Sequence, residues 1–415
     1  MTATTSPDAA SLPLLQGDEE RSIREAVRGI CSGFGDHYSR ECLERGEPPR
    51  ELWQALSEKG FVGANIPGEW GGGGMGMTGL IWVAEECGAA GHQLLMLVVS
   101  PAITGSILVR HGTEEQKERW LRGIAAGTTR VAFAITEPDA GTNSHNLHTE
   151  VRREGDRYLL SGQKVFISAV EDADAVLVVA RLRGPNGSLG RLCMCIVDAD
   201  AHGFTREVIP MPFLGPDRQW QLFFDRVELE PERLIGGEQQ DDAGAAQSGE
   251  AGRRARGTPA GFAAVFDGLN PERIILAAFA NGAGRRALDK ASAYARERAV
   301  WGVPIGAHQG VAHPLAKAKI ELELARLMTQ KAAAMQDAGA PGTGEAANFA
   351  KYAAAEAGIH CVDVALQAHG GNGFTLEYGV SELWWSARLL RTAPVSAEMI
   401  LNYVAQHSLG LPKSY

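Results

Sequence analysis

The hydrophobic pattern changes period twice along the chain. Behind an acidic opening turn, Asp18, Glu19 and Glu20, the apolar positions Ile23, Ala26, Val27, Ile30 and Phe34 recur at helical spacing. Further helices are expected near 51–59, 78–90 and 97–111, and Thr113 with Gln116 has the spacing of a reciprocal N-terminal cap. From about 131 to 237 the period falls to two. Short runs at 158–160, 165–167, 176–179, 192–197 and 222–224 are separated by turn signals such as Glu154-Gly155-Asp156 and Pro185-Asn186-Gly187. From Gly261 the helical period returns, with helices expected over about 308–337, 345–369, 380–391 and 396–409. Asn270-Pro271 reads as the N-cap and first residue of another. The pattern predicts an α+β chain: an N-terminal helical domain (1–130), a middle antiparallel β-domain (131–237), an insertion (238–260) and a C-terminal antiparallel helix bundle (261–415).

Composition narrows what such a chain can be. Residues 238–260 are rich in Gly, Ala, Gln, Ser and charge, so they bury too little apolar area to order themselves and are expected to be mobile. Arg253, Arg254 and Arg256 near the end of that stretch are available to an acidic ligand. A net charge of −10 with no basic tract argues against nucleic acid and anionic membrane as partners. The six cysteines have neither disulfide nor zinc spacing, no secretory signal is legible and no apolar run is long enough to span a bilayer, so a cytoplasmic location is expected. The glycine run 71–74 lacks the Lys-Ser/Thr of a phosphate loop and reads as a flexible loop. His145-x-x-His148 has no third ligand at metal spacing, so no metal is expected, and Gly282-x-Gly284 echoes a dinucleotide motif without the preceding strand.

Two stretches carry chemistry. The first, Val131 to Ser144, begins as a β-prone run and breaks at Glu137-Pro138, leaving Thr136, Gly141 and Thr142 to present hydroxyls and backbone N–H groups at a strand end. That suits a polar, planar cofactor. The second, Lys164 to Ser168, reads as a strand with Val165 and Ile167 on one face and the Phe166 ring beside the Ser168 hydroxyl on the other.

Together with Arg298-Ala-Val-Trp-Gly302, Gln309 and Gln367-Ala-His-Gly-Gly-Asn-Gly-Phe374, these stretches give the chain a resemblance to the flavin-dependent acyl-CoA dehydrogenase family over nearly its whole length. The resemblance implies FAD, with Phe133, Ile135, Thr136, Gly141, Thr142, Phe166 and Ser168 near the flavin. It implies that Arg298, Trp301, Gln309, Gln367, Gly370, Gly371, Ser396 and Glu398 hold the rest of the cofactor, partly across a subunit interface. Physically, a guanidinium fork suits phosphate oxygens, and paired glycines let a dinucleotide approach the backbone. The chain has Gly141-Thr142-Asn143 where the family usually has Gly-Ser-Asp, and Phe166 where it often has Trp. Hydroxyl and ring are both kept.

Members of the family remove an α-proton from an acyl-CoA thioester while hydride leaves the β-carbon for the flavin. Much of the family takes the base from a Glu before the last helix. Here that position is Pro394, which cannot be a base. In a subset resembling the isovaleryl and long-chain members, the base sits immediately before an arginine at the start of the first bundle helix, which is Glu272 here. A helix N-terminus would lower its pKa, so desolvation must raise it again. Pro394 also lacks the backbone N–H that the family uses to hold the thioester oxygen, so either the Val395 N–H substitutes, or the loop is shifted by a residue, or the activity is weak or altered. Arg273 is expected to brace this loop through its carbonyls, and Asn270 stands where an Asp beside the CoA arm is usual. The implied partners are an acyl-CoA, an electron-transfer flavoprotein and further copies in a homotetramer or homodimer. An acyl carrier protein thioester, oxidase or monooxygenase chemistry, and a flavoprotein with a degenerate, non-catalytic site are the alternatives.

Overall fold

A computed structural model describes residues 17–183, 189–212, 215–236 and 260–413, so the expected insertion lies outside the described residues except for Ala260. The N-terminal domain comprises α1 (Asp18–Ser32), α2 (Tyr38–Arg45), α3 (Arg50–Ser57), α4 (Gly76–Ala90), α5 (Leu95–Leu97), α6 (Ser106–His111) and α7 (Glu114–Ala126). The reciprocal cap of α7 forms, with Gln116 N donating to Thr113 Oγ1 at 3.3 Å and Thr113 N to Gln116 Oε1 at 3.0 Å. The helix expected over 97–111 is broken: Val98–Gly105 is a π-helical stretch around Pro101, buried along its whole length. Proline has no N–H to donate, which disfavours a regular ladder there. The glycine run is a hydrogen-bonded turn rather than a loose loop, with Gly73 N donating to Gly63 O at 3.0 Å and Gly74 N to Ile66 O at 2.9 Å.

The middle domain is one sheet of β1 (Val131–Ala134), β2 (Glu150–Glu154), β3 (Arg157–Ser168), β4 (Ala175–Arg183), β5 (Leu189–Asp198), β6 (Phe204–Ile209) and β7 (Gln219–Leu229). It departs from the antiparallel expectation at two pairings, because β1 and β2 both run parallel to β4. Antiparallel β5 occupies one edge of β4, so β1 and β2 follow each other along the other. Alternation then sends Val131 and Phe133 of β1 into a large core shared with the helices, and Ala132 and Ala134 into a second core within the sheet domain. The all-apolar run of β1 follows from burial on both faces.

The bundle comprises α8 (Ala260–Glu297), α9 (Gln309–Asp337), α10 (Thr343–His369), α11 (Glu382–Leu389) and α12 (Ala397–Tyr403). The start expected at Asn270-Pro271 is overturned: α8 begins at Ala260 and Pro271 lies inside it. The preceding turns are held by packing, since Val265 is buried and Gly268 fits against Ile107 and Ile103. Between α8 and α9, β8 (Ala299–Val300) and β9 (Val303–Pro304) form an unexpected hairpin turned by Trp301 (φ 53°) and Gly302 (φ 82°). Two left-handed residues match the twist that such short hairpins require. Gly282 belongs to packing, not to a dinucleotide: a Cβ there would stand 2.3 Å from the Glu85 carbonyl of α4.

Helices α1, α4, α8 and α9 also meet through buried charge. Arg24 reaches Glu20, Glu85 and Glu86; Arg285 reaches Glu85 and Glu86 at 2.9 and 2.7 Å; Arg326 reaches Glu85 at 2.8 Å. Burial would raise the glutamates, but the surrounding guanidinium groups overcome it and hold Glu85 and Glu86 below the usual carboxylate range. In the unfolded chain they take up protons near pH 4.3, whereas the folded carboxylates resist to lower pH. Stability is therefore present above that value and lost as the pH falls through the folded pKa values. Acid titration followed by circular dichroism should show cooperative unfolding below about pH 4, and Glu85→Gln should flatten the dependence.

Candidate active site

The two cofactor stretches of the middle domain are fastened together by a buried ion pair. Lys164, fully buried on β3, donates to Glu137 Oε1 and to the Ile135 carbonyl, each at 2.8 Å. Glu137 also accepts from His148 N at 2.6 Å and Thr149 N at 2.9 Å, closing the loop that carries Gly141 and Thr142. Val165 N donates to Thr136 O at 2.9 Å. The strand alternation expected for 164–168 fails here. Lys164 pairs with Leu222 and Ile167 with Trp220, so two residues face one and the strand bulges. Phe166, next in the chain, takes a left-handed φ of 58° and is 56 % exposed.

A large exposed ring at a strained bulge fits the face of a flavin. Gly141 and Thr142 are exposed, and a Cβ at Gly141 would meet nothing within 4 Å, so no packing among the described residues accounts for that glycine. Ile135 is partly buried and Ser168 is engaged with Gln219, while Phe133 is a core residue of β1.

The nucleotide-type residues form a second cluster on the bundle. The hairpin presents Trp301, 88 % exposed, while Arg298 at its base and Gln309 at the start of α9 are exposed. Tyr294 stacks on His369 at 4.4 Å and its hydroxyl accepts from Asn372 Nδ2 at 3.1 Å, which brings the end of α8 to the end of α10. An open groove lined by Arg298, Tyr294, His369, Asn372 and Tyr378 runs between them. His369 is buried, with its ring nitrogen against the Ala365 carbonyl, which makes it a positioning group for the adjoining glycines. Gln367, Gly370 and Gly371 are exposed beyond it, and a Cβ at either glycine would meet nothing within 4 Å. The donors, open glycines and exposed ring fit the diphosphate and adenosine of FAD. Ser396 is instead occupied as the N-cap of α12, accepting from Met399 N, and Glu398 lies exposed in that helix's first turn.

Glu272 lies one residue beyond Pro271 inside α8, so no helix N-terminus lowers its pKa. Burial instead raises its carboxyl to about 7, against the pull of Arg273 and Lys351. Arg273 does not brace the 392–396 loop as expected. Its guanidinium donates to Asn270 Oδ1 at 2.7 Å and Asn348 Oδ1 at 3.2 Å. The loop carbonyl of Val395 is held by Lys351, 2 % exposed on α10. Sequence reading missed Lys351 and Asn348. The available signal was two polar residues three apart in an alanine-rich helical run.

Family models for the acyl-CoA dehydrogenase N-terminal, middle and C-terminal domains match residues 17–128, 132–227 and 259–409. The acyl-CoA dehydrogenase FadE12 of Mycobacterium tuberculosis (strain ATCC 25618 / H37Rv) is 50 % identical over 402 residues, covering 97 % of this chain and 98 % of the relative. Subunit CarC of the caffeyl-CoA reductase-Etf complex of Acetobacterium woodii is 30 % identical, covering 90 % and 93 %. The solved glutaryl-coenzyme A dehydrogenase in complex with glutaryl-CoA superposes with a TM-score of 0.84 at 28 % identity, over 96 % of this chain and 97 % of that one. On its three domains and its full-length relatives, the chain belongs to the acyl-CoA dehydrogenase family.

Proposed function

We propose that the protein converts an acyl-CoA thioester to its 2-enoyl-CoA with FAD as cofactor. The observation that carries this reading is Glu272, whose carboxyl burial pushes up to about 7 within the field of the Lys351 ammonium that holds the Val395 carbonyl, which suits it to take a proton at neutral pH. Bound FAD supplies the acceptor for the β-hydride. Glu272 removes the α-proton, Arg273 and Asn348 hold the polypeptide around it, and the backbone N–H groups after Pro394 receive the thioester oxygen. Thr136, Thr142 and Phe166 orient the ring, while Arg298, Gln309, Trp301, Gln367, Gly370 and Gly371 bind the nucleotide end. An electron-transfer flavoprotein as reoxidant is the partner that fits such chemistry.

A homo-oligomer is part of the proposal. Ile320 and Leu324, each 62 % exposed, and Leu327 form an apolar stripe along α9, and Trp301 and Phe374 stand exposed near the nucleotide groove. Such surface is suited to a second copy of the chain, which would also complete the cofactor site. Among the described residues no helix is long and apolar enough to cross a membrane.

Anaerobic titration with straight and branched acyl-CoAs of graded length should bleach the flavin band with one class. The kcat/KM for that class should rise with pH through about 7, because the base must be deprotonated in the free enzyme. A flavin that no acyl-CoA or acyl carrier protein thioester bleaches would refute the dehydrogenase reading and leave a degenerate site.

A further inference from the structure

Helix α10 buries a run of alanines, including Ala346, Ala347, Ala350, Ala354 and Ala355. Set into that packed helix are Asn348, 3 % exposed, and Lys351, 2 % exposed. Three residues apart, they share a side of the helix and divide two tasks. Asn348 accepts from Arg273 on α8, while the Lys351 ammonium donates to the Val395 carbonyl between α11 and α12. Burial lowers Lys351 to about 8; Arg273 acts the same way, and Glu356, Glu272 and Glu398 oppose it. A methionine would fill similar volume without desolvating a charge, so packing does not account for a lysine.

We propose that Lys351 is a positioning residue for the reaction at Glu272, holding the Val395–Ser396 peptide in the orientation from which the loop binds the thioester oxygen. The inference rests on the reading of Glu272 as the base. That peptide is trans, so a carbonyl fixed on Lys351 turns the Ser396 N–H the opposite way. A hydrogen bond at the carbonyl also strengthens the donor at the other end of the same peptide. Pro394 contributes no N–H, which leaves Val395 and Ser396 as the nearest backbone donors.

The charged groups around the pair are few. Arg273 on its own helix and Lys351 from α10 face Glu272, while Glu356, Glu398 and Arg273 act on Lys351, Tyr403 lies toward Arg273, and Glu345 acts on Tyr403. Removing the ammonium therefore removes one of the two cations that favour the Glu272 carboxylate.

The test compares the FAD-loaded wild type with Lys351→Met, Lys351→Arg and Glu272→Gln. Lys351→Met should retain FAD, show faster amide exchange across 389–403 without substrate, and bleach on the order of 10–100-fold more slowly with little change in KM. The rising limb of its pH profile should move to higher pH, and Lys351→Arg should restore part of the rate. Unchanged exchange, a rate within about twofold of wild type, or loss of FAD in both lysine variants would overturn the proposal. Full activity in Glu272→Gln would overturn the base assignment instead. The exchange measurement needs no chemistry, so it still reports whether Lys351 holds the loop.

Discussion

Glu272→Gln should bind FAD as the wild type does and reduce it with acyl-CoA on the order of 10²–10⁴-fold more slowly. The amide keeps the shape of the side chain but cannot accept a proton. None of the cofactor clusters includes Glu272, so flavin content should be unaffected and the loss should fall on the chemical step. Stopped-flow bleaching at saturating substrate checks this, because a defect in binding alone would be rescued by concentration. Retention of the wild-type rate would move the base elsewhere. Pro394, in the loop held by Lys351, offers no carboxylate to take over.

The second large effect is expected at Lys164→Met. This change removes the only side-chain cation paired with Glu137 among the described residues and leaves a carboxylate that is 5 % exposed held by the backbone N–H groups of His148 and Thr149. Breaking a buried pair on one side costs about 3–5 kcal/mol. Loss of stability should come with loss of flavin, since the same pair fastens Ile135 and Glu137 to the strand that carries Phe166. Thermal unfolding and the ratio of flavin to protein measure the two effects. The double variant with Glu137→Gln should recover part of the stability, because no unpaired charge then remains buried. A Lys164→Met protein with wild-type melting temperature and full flavin would show that the pair does not hold the site.

The order of the three domains was legible because the helical and strand periods that mark them are local patterns. Helical spacing marks α1, and the cap of α7 forms from Thr113 and Gln116 as read. What escaped sequence reading depended on partners far along the chain. The bulge at Phe166 is set by the register of β3 against β7, more than fifty residues away. Asn270-Pro271 has the local chemistry of a helix start, yet Val265 and Gly268 find a buried surface and α8 continues through it. Lys351 was missed because its carbonyl partner is brought beside it only by the fold of 392–396. In each case tertiary burial overruled a correct local preference.

The shared ion cluster of Glu85, Glu86, Arg24, Arg285 and Arg326 makes the family's division into N-terminal and C-terminal domains a division of sequence only. Two of its arginines come from the bundle and its acceptors come from α4, so cutting the chain between them would strand cations in apolar surroundings on one fragment and carboxylates on the other. A substitution at one of these positions is therefore coupled energetically to partners across a boundary that spans about two hundred residues of sequence.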